Sequence, residues 1–397
     1  MNDSSLKINF NLILIILQTE NDPSKRSFLS VTISNMKIIV VAGGQGTKLW
    51  PYSRSHKPKQ FQAVLGDKSL FTENVDILLE QYAPEDIFIS TKQQFIKYVS
   101  DQAPRIPLRN YIIEPNIAKD RGPGEGLAFL RLSLLHPDEP FFVIQSDCIR
   151  QPKEAFLKMM LDAETMVKRD RKLITGGIKA TEPDMGSDYL KLGKPLHADI
   201  DQDVYAVDTL IFRGSNYAET KKLVESFSVV VHCNHSCWFP ELMLDAYKQY
   251  RPDWHEALMR IKDAIGKPGE DAEIERLYAG MEKGATEDVT KHIFNNGEGQ
   301  VILVPFRWSD IGTWGSVYEF FSGEPGEVYA DGRVVSVDAS DTLVKVSNPD
   351  KLVAIAGIDN LVVVDTDDVL MIIPKTKIDK LKDLQKAIGA QEGGRYL

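Results

Sequence analysis

Four short apolar runs limit what this chain can fold into more than any other feature: KIIVVA from Lys37, DIFIST from Asp86, YIIEP from Tyr111 and FFVIQSD from Phe141. Each is a continuous run, not an alternation of apolar and polar residues, which predicts strands buried on both faces. Between them, SLFTENVDILLEQYA, QQFIKYVSDQ and GEGLAFLRLSLLH carry apolar residues at helical spacing. Strands alternating with helices predict βαβ units and a mostly parallel, twisted sheet covered by helices, that is, an α/β fold. KEAFLKMMLDAETMVKRD extends the scheme as a helix and LITGGIKA as a strand. Farther on, VYAVDTLIF reads as a strand, YAETKKLVESF and ELMLDAYKQYR as helices, and VILVPFRWSDIGTWGSVYEFF as a strand that turns into a helix.

After Ser322 the texture changes. Short β-rich runs are divided by Asp-, Asn-, Ser- and Gly-rich turns at intervals of roughly eight to twelve residues, an all-β pattern, and KIDKLKDLQKAIGA closes the chain as a helix. Length alone, 397 residues, suggests about two domains. The expected boundaries are a catalytic domain over 36–325 and a β domain over 326–397. Residues 1–35 are expected to be an appendage outside the fold. INFNLILIILQ within them is shorter than the roughly 20 residues that span a bilayer, and no small-residue cleavage site follows it. Met36 stands immediately before the first convincing strand.

The first strand runs into three glycines, Gly43, Gly44 and Gly46, and then into Lys48, Arg54, Lys57 and Lys59. The chain as a whole has a formal net charge of -10 and a pI near 5.3. That balance argues against binding nucleic acid or anionic membrane non-specifically, so a local basic segment calls for a local anionic ligand. Glycines at the carboxyl end of a buried strand can form a nest of N–H donors for phosphate oxygens. Two familiar phosphate loops are excluded. A Walker A loop needs GKS or GKT after its spacers, and a dinucleotide fingerprint needs glycine where Leu49 stands. A plain β-turn and a solvated basic face remain the bland alternatives for each feature taken singly. The three cysteines, Cys148, Cys233 and Cys237, imply no disulfide framework and suit a reducing, cytoplasmic setting.

AGGQGTKLWPYSRSHKPKQF resembles the signature of sugar-phosphate nucleotidyltransferases, and within them the mannose-1-phosphate guanylyltransferases, with GG-x-G-T-R-L-W-P, then S-R, then P-K-Q-F. The resemblance implies a Rossmann-like catalytic domain, a small C-terminal β-helix-like domain with homo-oligomer contacts, and the reaction of GTP with mannose 1-phosphate in the presence of Mg²⁺. It places Gly43, Gly44, Gln45, Gly46 and Thr47 on the nucleotide phosphates and Lys48 where the family has its catalytic arginine. Lys59 becomes the second phosphate-binding cation, and Glu114, in EPNIAKDRGPGEG, lies near the nucleotide. Asp147, in QSDC where the family has P-A-D-H, and Asp310, in RWSDIGTW, become the two metal carboxylates. Read from the residues alone, Asp147 is equally a turn residue and Asp310 a helix N-cap.

The sugar end matches less closely. Gly186 in MGSDYL and Asn234 in CNHSCWF correspond to the family's sugar-binding positions. The family's E-K-P motif is replaced by LIFRGSN, where Arg213 supplies a cation with no acidic residue beside it in sequence. Two further readings follow: the same chemistry on another sugar 1-phosphate or nucleoside triphosphate, and a catalytically weak paralogue that binds sugar nucleotide and regulates a partner. HCNHSC gathers four potential zinc ligands, His232, Cys233, His235 and Cys237, at a spacing that fits no standard zinc module.

Overall fold

A computed structural model describes residues 34–44, 46–184, 186–197, 199–214, 216–322 and 326–397. The expectation for residues 1–35 therefore falls, apart from Ser34 and Asn35, outside the described residues, as does Gln45. Asn35–Leu397 form one compact unit. No helix among the described residues is long and apolar enough to cross a membrane.

The strands are, in chain order, β1 (Lys37–Val41), β2 (Ile87–Lys92), β3 (Tyr111–Glu114), β4 (Phe141–Gln145), β5 (Cys148–Gln151), β6 (Leu173–Lys179), β7 (Tyr189–Leu196), β8 (Val204–Ile211), β9 (Val229–His232), β10 (Ser236–Trp238), β11 (Gly299–Leu303) and β12 (Arg307–Asp310). Ten of them form one sheet in the order β11-β8-β7-β9-β6-β10-β4-β1-β2-β3. The four apolar runs with which the sequence opens are the parallel set β3-β2-β1-β4. Beyond β4 the sheet becomes mixed: β10 is antiparallel to both β4 and β6, and β11 pairs with β8 and β6, closing a ring of β6, β9, β7, β8 and β11. Helices Leu70–Leu78 and Arg121–Leu135 connect the parallel strands and bury Phe71, Val75, Phe129 and Leu132 against Ile38, Ile87, Phe141 and their neighbours. Ser69 caps the first of them by accepting a hydrogen bond from the Thr72 N–H.

β1 pairs with β2 on one side and β4 on the other, so connections leave it in both directions. Its carboxyl end is the topological switch point, where an open α/β sheet leaves a crevice. The glycine turn begins there. The sequence VILVPFRWSD holds two strands, β11 in the main sheet and β12 in a separate two-stranded ladder with β5. That small ladder sets Asp310 opposite Cys148, next to Asp147.

The remaining strands are β13 (Val328–Asp331), β14 (Arg333–Val337), β15 (Thr342–Val346), β16 (Leu352–Ala356), β17 (Leu361–Asp365) and β18 (Leu370–Pro374). β13, β15 and β17 stack in parallel, as do β14 and β16, giving the coils of a short β-helix. Val344, Val346 and Val363 point between the two ladders towards Val334, Val353 and Ile355. The alternate residues Leu343, Val362 and Val364 pack outward onto Leu49, Trp50, Ile311 and Trp314 of the α/β layer. β15 is thus buried on both faces, which is why TLVKV reads as an unbroken apolar run around one lysine. That lysine, Lys345, donates to Ala63 O and Val64 O across the seam.

Candidate active site

The glycine turn leaves β1 beside Ser146, whose N–H and hydroxyl both reach Val41 O. Gly46 takes φ +60°, and a Cβ there would stand 2.7 Å from the Lys59 backbone nitrogen. Only glycine satisfies both conditions. Gly46→Ala is expected to lose about 1–3 kcal/mol of stability through backbone strain and that contact. Urea denaturation checks this, and an unchanged midpoint would contradict the left-handed turn. Two side chains hold the loop from behind: Gln60 donates to Ala42 O (3.0 Å) and Gly44 O (2.8 Å), and the Ser53 hydroxyl donates to Gly46 O (2.5 Å).

The loop borders a cleft of about 620 Å³ lined by Gly44, Gly46, Thr47, Lys48, Lys59, Asp147, Asp310, Arg213 and Asn234, among others. A smaller cleft of about 260 Å³ adjoins it through Gly44, Asp120 and Arg121, and contains Gly43 and Glu114. The Glu114 carboxylate accepts from the Ser90 hydroxyl (3.1 Å) and the Tyr278 hydroxyl (3.2 Å). Burial raises its pKa. Gly43 and Gly124 flank it so closely that a Cβ on either would come within 2.9 Å of a carboxylate oxygen.

Lys59 is buried, and its Nζ lies 2.8 Å from Asp147 Oδ2, 3.5 Å from Asp310 Oδ1 and 3.1 Å from Ile311 O. Burial pulls its pKa down, but the Asp147 and Asp310 carboxylates outweigh that and raise it, so the ammonium stays charged. Lys48 is exposed on the cleft wall. The other two basic residues of the segment lie elsewhere. Arg54 makes a two-pronged bond to Asp368 of the β-helix (2.9 and 2.6 Å), and Lys57 pairs with Arg54 in an isolated β-bridge. The basic cluster therefore divides: Lys48 and Lys59 face the cleft, and Arg54 ties the two modules together.

Asp147 sits in the turn between β4 and β5, and Asp310 ends β12. The bland reading of Asp310 as a helix cap fails, because Thr313 caps helix Trp314–Phe321 in a reciprocal box with Ser316. The Asn74 amide holds the Asp147 turn by donating to Ser146 O (3.3 Å) and Cys148 O (3.0 Å). Candidate ligand atoms of Asp147, Cys148 and Asp310 lie within 4.8 Å of one another. The two carboxylate side chains are 31% and 55% exposed, with Lys59 between them. Two hard oxygen donors on the wall of this cleft fit Mg²⁺, which takes one or two carboxylates and leaves its other positions to phosphate and water. Cys148 does not add to that set: burial raises its thiol pKa, so it remains a neutral, soft group.

At the opposite end, Arg213 does have an acidic companion, contrary to the expectation from its neighbours in sequence. Asp188 accepts from the Arg213 backbone N–H (2.7 Å), Nε (3.1 Å) and Nη2 (2.6 Å). Asn234 lines the cleft with φ +55°, and its backbone carbonyl accepts from Gln145 Nε2 at 2.7 Å. Gly186 is not among the cleft residues; it lies in an exposed turn, donating its N–H to Asp184 Oδ1. The zinc alternative has no support among the described residues. His232 bonds Thr175, His235 accepts from Arg150 Nε, and Cys237 is buried beside Met36.

Asp120 and Arg121, in the segment expected near the nucleotide, line the main cleft, and so do Glu287, Gln145 and Trp308, to which the sequence reading gave no role. Arg121 donates to Glu125 (2.8 Å) and Glu287 (3.1 Å), joining two helix starts far apart in the chain. Asp120, which with Lys119 stands where the resemblance has Arg-Asn, caps the start of helix Arg121–Leu135. Its φ of +69° is a strained conformation of the kind concentrated at ligand sites.

Residues 37–190 match the nucleotidyl transferase family model, and residues 332–387 match that of the MannoseP isomerase/GMP-like beta-helix domain. Relatives include the mannose-1-phosphate guanylyltransferase of Salmonella muenchen, 24% identical over 78% of this chain and 64% of that protein. That of Salmonella montevideo is 26% identical over 76% and 64%, and the alginate biosynthesis protein AlgA of Pseudomonas aeruginosa 22% identical over 76% and 60%. The chain thus spans less than two thirds of the length of these relatives. The crystal structure of a mannose-1-phosphate geranyltransferase from Thermus thermophilus aligns with TM-score 0.77 at 23% identity, over 89% of this chain and 99% of that one. This establishes the fold across both modules.

Proposed function

We propose that this chain, which belongs to the mannose-1-phosphate guanylyltransferase family of sugar-phosphate nucleotidyltransferases, transfers a guanylyl group from GTP to mannose 1-phosphate, giving GDP-mannose and pyrophosphate. The observation that carries this reading is Lys59 set between Asp147 and Asp310 behind a glycine turn at the switch point of the sheet. A phosphate oxygen of the sugar phosphate bonds to the α-phosphorus of the triphosphate. The bond from that phosphorus to the bridging oxygen breaks, and its electron pair leaves with pyrophosphate. The nucleophile is already anionic, so the protein's part is positioning and charge stabilisation.

Gly43, Gly44, Gly46 and Thr47 hold the phosphates, and Lys48 and Lys59 balance their charge. Glu114 lies in the smaller adjoining cleft, where we place the base. Mg²⁺ bound by Asp147 and Asp310 supplies neutralisation of the triphosphate and polarisation of the α-phosphoryl group. Arg213 and Asn234 face the sugar phosphate. We place the reaction in the cytoplasm, where the three buried free thiols would stay reduced, and homo-oligomer contacts on the β-helix module.

A second reading, transfer to a different sugar 1-phosphate, is favoured by the commitment of Arg213 to Asp188, which changes the charge offered to the sugar end. Lys48→Arg is expected to keep turnover or raise it by up to about tenfold, because a guanidinium grips phosphate in a planar fork where an ammonium acts as a point charge. Steady-state rates check this, and complete loss would give the lysine a role of its own.

The test of the function is pyrophosphate release by purified protein with Mg²⁺, across four nucleoside triphosphates and several hexose 1-phosphates. Release with GTP and mannose 1-phosphate supports the first reading, and release with another pair supports the second. Folded protein that binds a sugar nucleotide but is silent across the panel would be the regulatory paralogue instead.

A further inference from the structure

The segment that carries Lys48 and Lys59 is gripped along its length by the β-helix and the chain that follows it. Trp50 Nε1 donates to Tyr396 O (2.6 Å), Arg54 holds Asp368, and Lys345 reaches Ala63 O and Val64 O at 3.3 and 3.1 Å. One contact touches the phosphate loop itself. From helix Leu381–Glu392, Gln385 Nε2 donates to the Thr47 carbonyl at 3.0 Å. Gln60 and Ser53 hold the carbonyls of Ala42, Gly44 and Gly46, so Gln385 completes a row of side-chain donors behind the turn.

The geometry of a peptide unit gives this contact its consequence. The unit is planar and trans, so the N–H of Lys48 points opposite to the carbonyl of Thr47. Holding that carbonyl towards the C-terminal helix turns the Lys48 amide away from the helix, and Thr47 and Lys48 both line the main cleft. The Trp50 N–H also bonds Thr47 O, at 3.2 Å, closing a single tight turn over Thr47–Leu49. Leu49 and Trp50 anchor the far end of this turn in the core, whereas Thr47 and Lys48 at its start are exposed, so the direction of the Thr47–Lys48 peptide rests on the contacts its carbonyl makes with Gln385 and Trp50.

We propose that Gln385 is a positioning residue of the nucleotide site. By holding the Thr47 carbonyl it aims the Lys48 amide and side chain at the bound triphosphate, and the β-helix module becomes part of the active centre of its own chain. The proposal rests on the nucleotide reading above. It extends that reading by giving the C-terminal module a task within one subunit.

The test compares full-length wild type with Gln385→Leu, which keeps the side-chain volume and loses the donor, and Gln385→Lys, which keeps a donor of similar reach. Binding of a non-hydrolysable GTP analogue is measured by titration calorimetry, alongside steady-state rates. Gln385→Leu is expected to weaken analogue binding about 3- to 10-fold, the range of one hydrogen bond, with the KM for the sugar phosphate changed by less than about twofold. Gln385→Lys should return affinity to within about twofold of wild type. Gln385 is only half-buried on a surface helix, so the thermal midpoint should not move. Unchanged analogue affinity in Gln385→Leu, or equal losses in the KM values of both substrates, would overturn the proposal. Wild type that binds no nucleotide would overturn it together with the proposed function. Wild type that binds the analogue but releases no pyrophosphate would remove the function alone, and the affinities would still decide the role of Gln385.

Discussion

Lys59→Met is expected to lower turnover by about 10²–10³-fold, the scale of losing one preorganised charge at a reacting phosphoryl group. It should also destabilise the protein in metal-free buffer. The ammonium lies between two carboxylates, at 2.8 and 3.5 Å. Removing it leaves Asp147 and Asp310 facing each other with only the weaker influence of Arg150 on the first and Lys48 on the second. Breaking a buried ion pair costs about 3–5 kcal/mol, and because the Asp310 side chain is 55% exposed the loss here should fall nearer 2–3 kcal/mol. Adding Mg²⁺ should restore part of it, since a cation between the carboxylates replaces the missing charge. Urea denaturation with and without Mg²⁺, beside steady-state rates, reads both effects. Turnover within tenfold of wild type would take Lys59 out of the reacting centre, and a loss of stability indifferent to Mg²⁺ would take the carboxylates out of the metal site.

Asp147→Asn carries the second large effect. The amide keeps the size of the carboxylate and loses its charge, and the turn around it stays anchored through Asn74. Folding should therefore survive, while Lys59 keeps Asp310 as its partner. Burial raises the pKa of Asp147, but the charge and hydrogen bond of Lys59 outweigh that and hold it below the usual carboxylate range, so the wild-type group is ionised and able to bind a hard cation. Turnover should fall about 10²–10³-fold, and affinity for Mn²⁺, used as a spectroscopic probe for Mg²⁺, should weaken in parallel. An unchanged rate at saturating Mg²⁺ would contradict the assignment.

The parallel half of the sheet was legible because strands covered on both faces leave unbroken apolar runs, and KIIVVA to FFVIQSD are β1 to β4. The mixed half was harder to see. β9 runs antiparallel to β6 and β7, and β10 antiparallel to β4 and β6, partners drawn from earlier parts of the chain, and no local pattern announces a ring closed by β11 pairing with β6. The β-helix showed as short β runs, but its docking face did not, because Leu343 and Val344 are equally apolar and only the coil decides which one meets Trp314.

At the site, the residues placed through contiguous motifs come together: Gly43, Gly44 and Gly46 at the turn, Lys59 with Asp147, and Asp310 beside them. Charge alone was a poorer guide. Arg54 and Lys59 looked alike in a basic stretch, yet one bonds Asp368 and the other Asp147, because a local sequence does not reveal which carboxylate a distant loop will bring. The pairings of Asp188 and Glu287 were invisible for the same reason: they meet Arg213 and Arg121 only through the folded ring of strands and the helices behind it.

The central claim is that this cleft moves the α-phosphorus of a nucleotide onto a sugar phosphate. The most direct measurement follows two labels, GTP carrying ³²P at the α or the γ position, incubated with the protein, Mg²⁺ and mannose 1-phosphate. The account predicts that the α label appears in GDP-mannose and the γ label in pyrophosphate. Label from the γ position in the sugar product, or no movement of either label while nucleotide is bound, would contradict it.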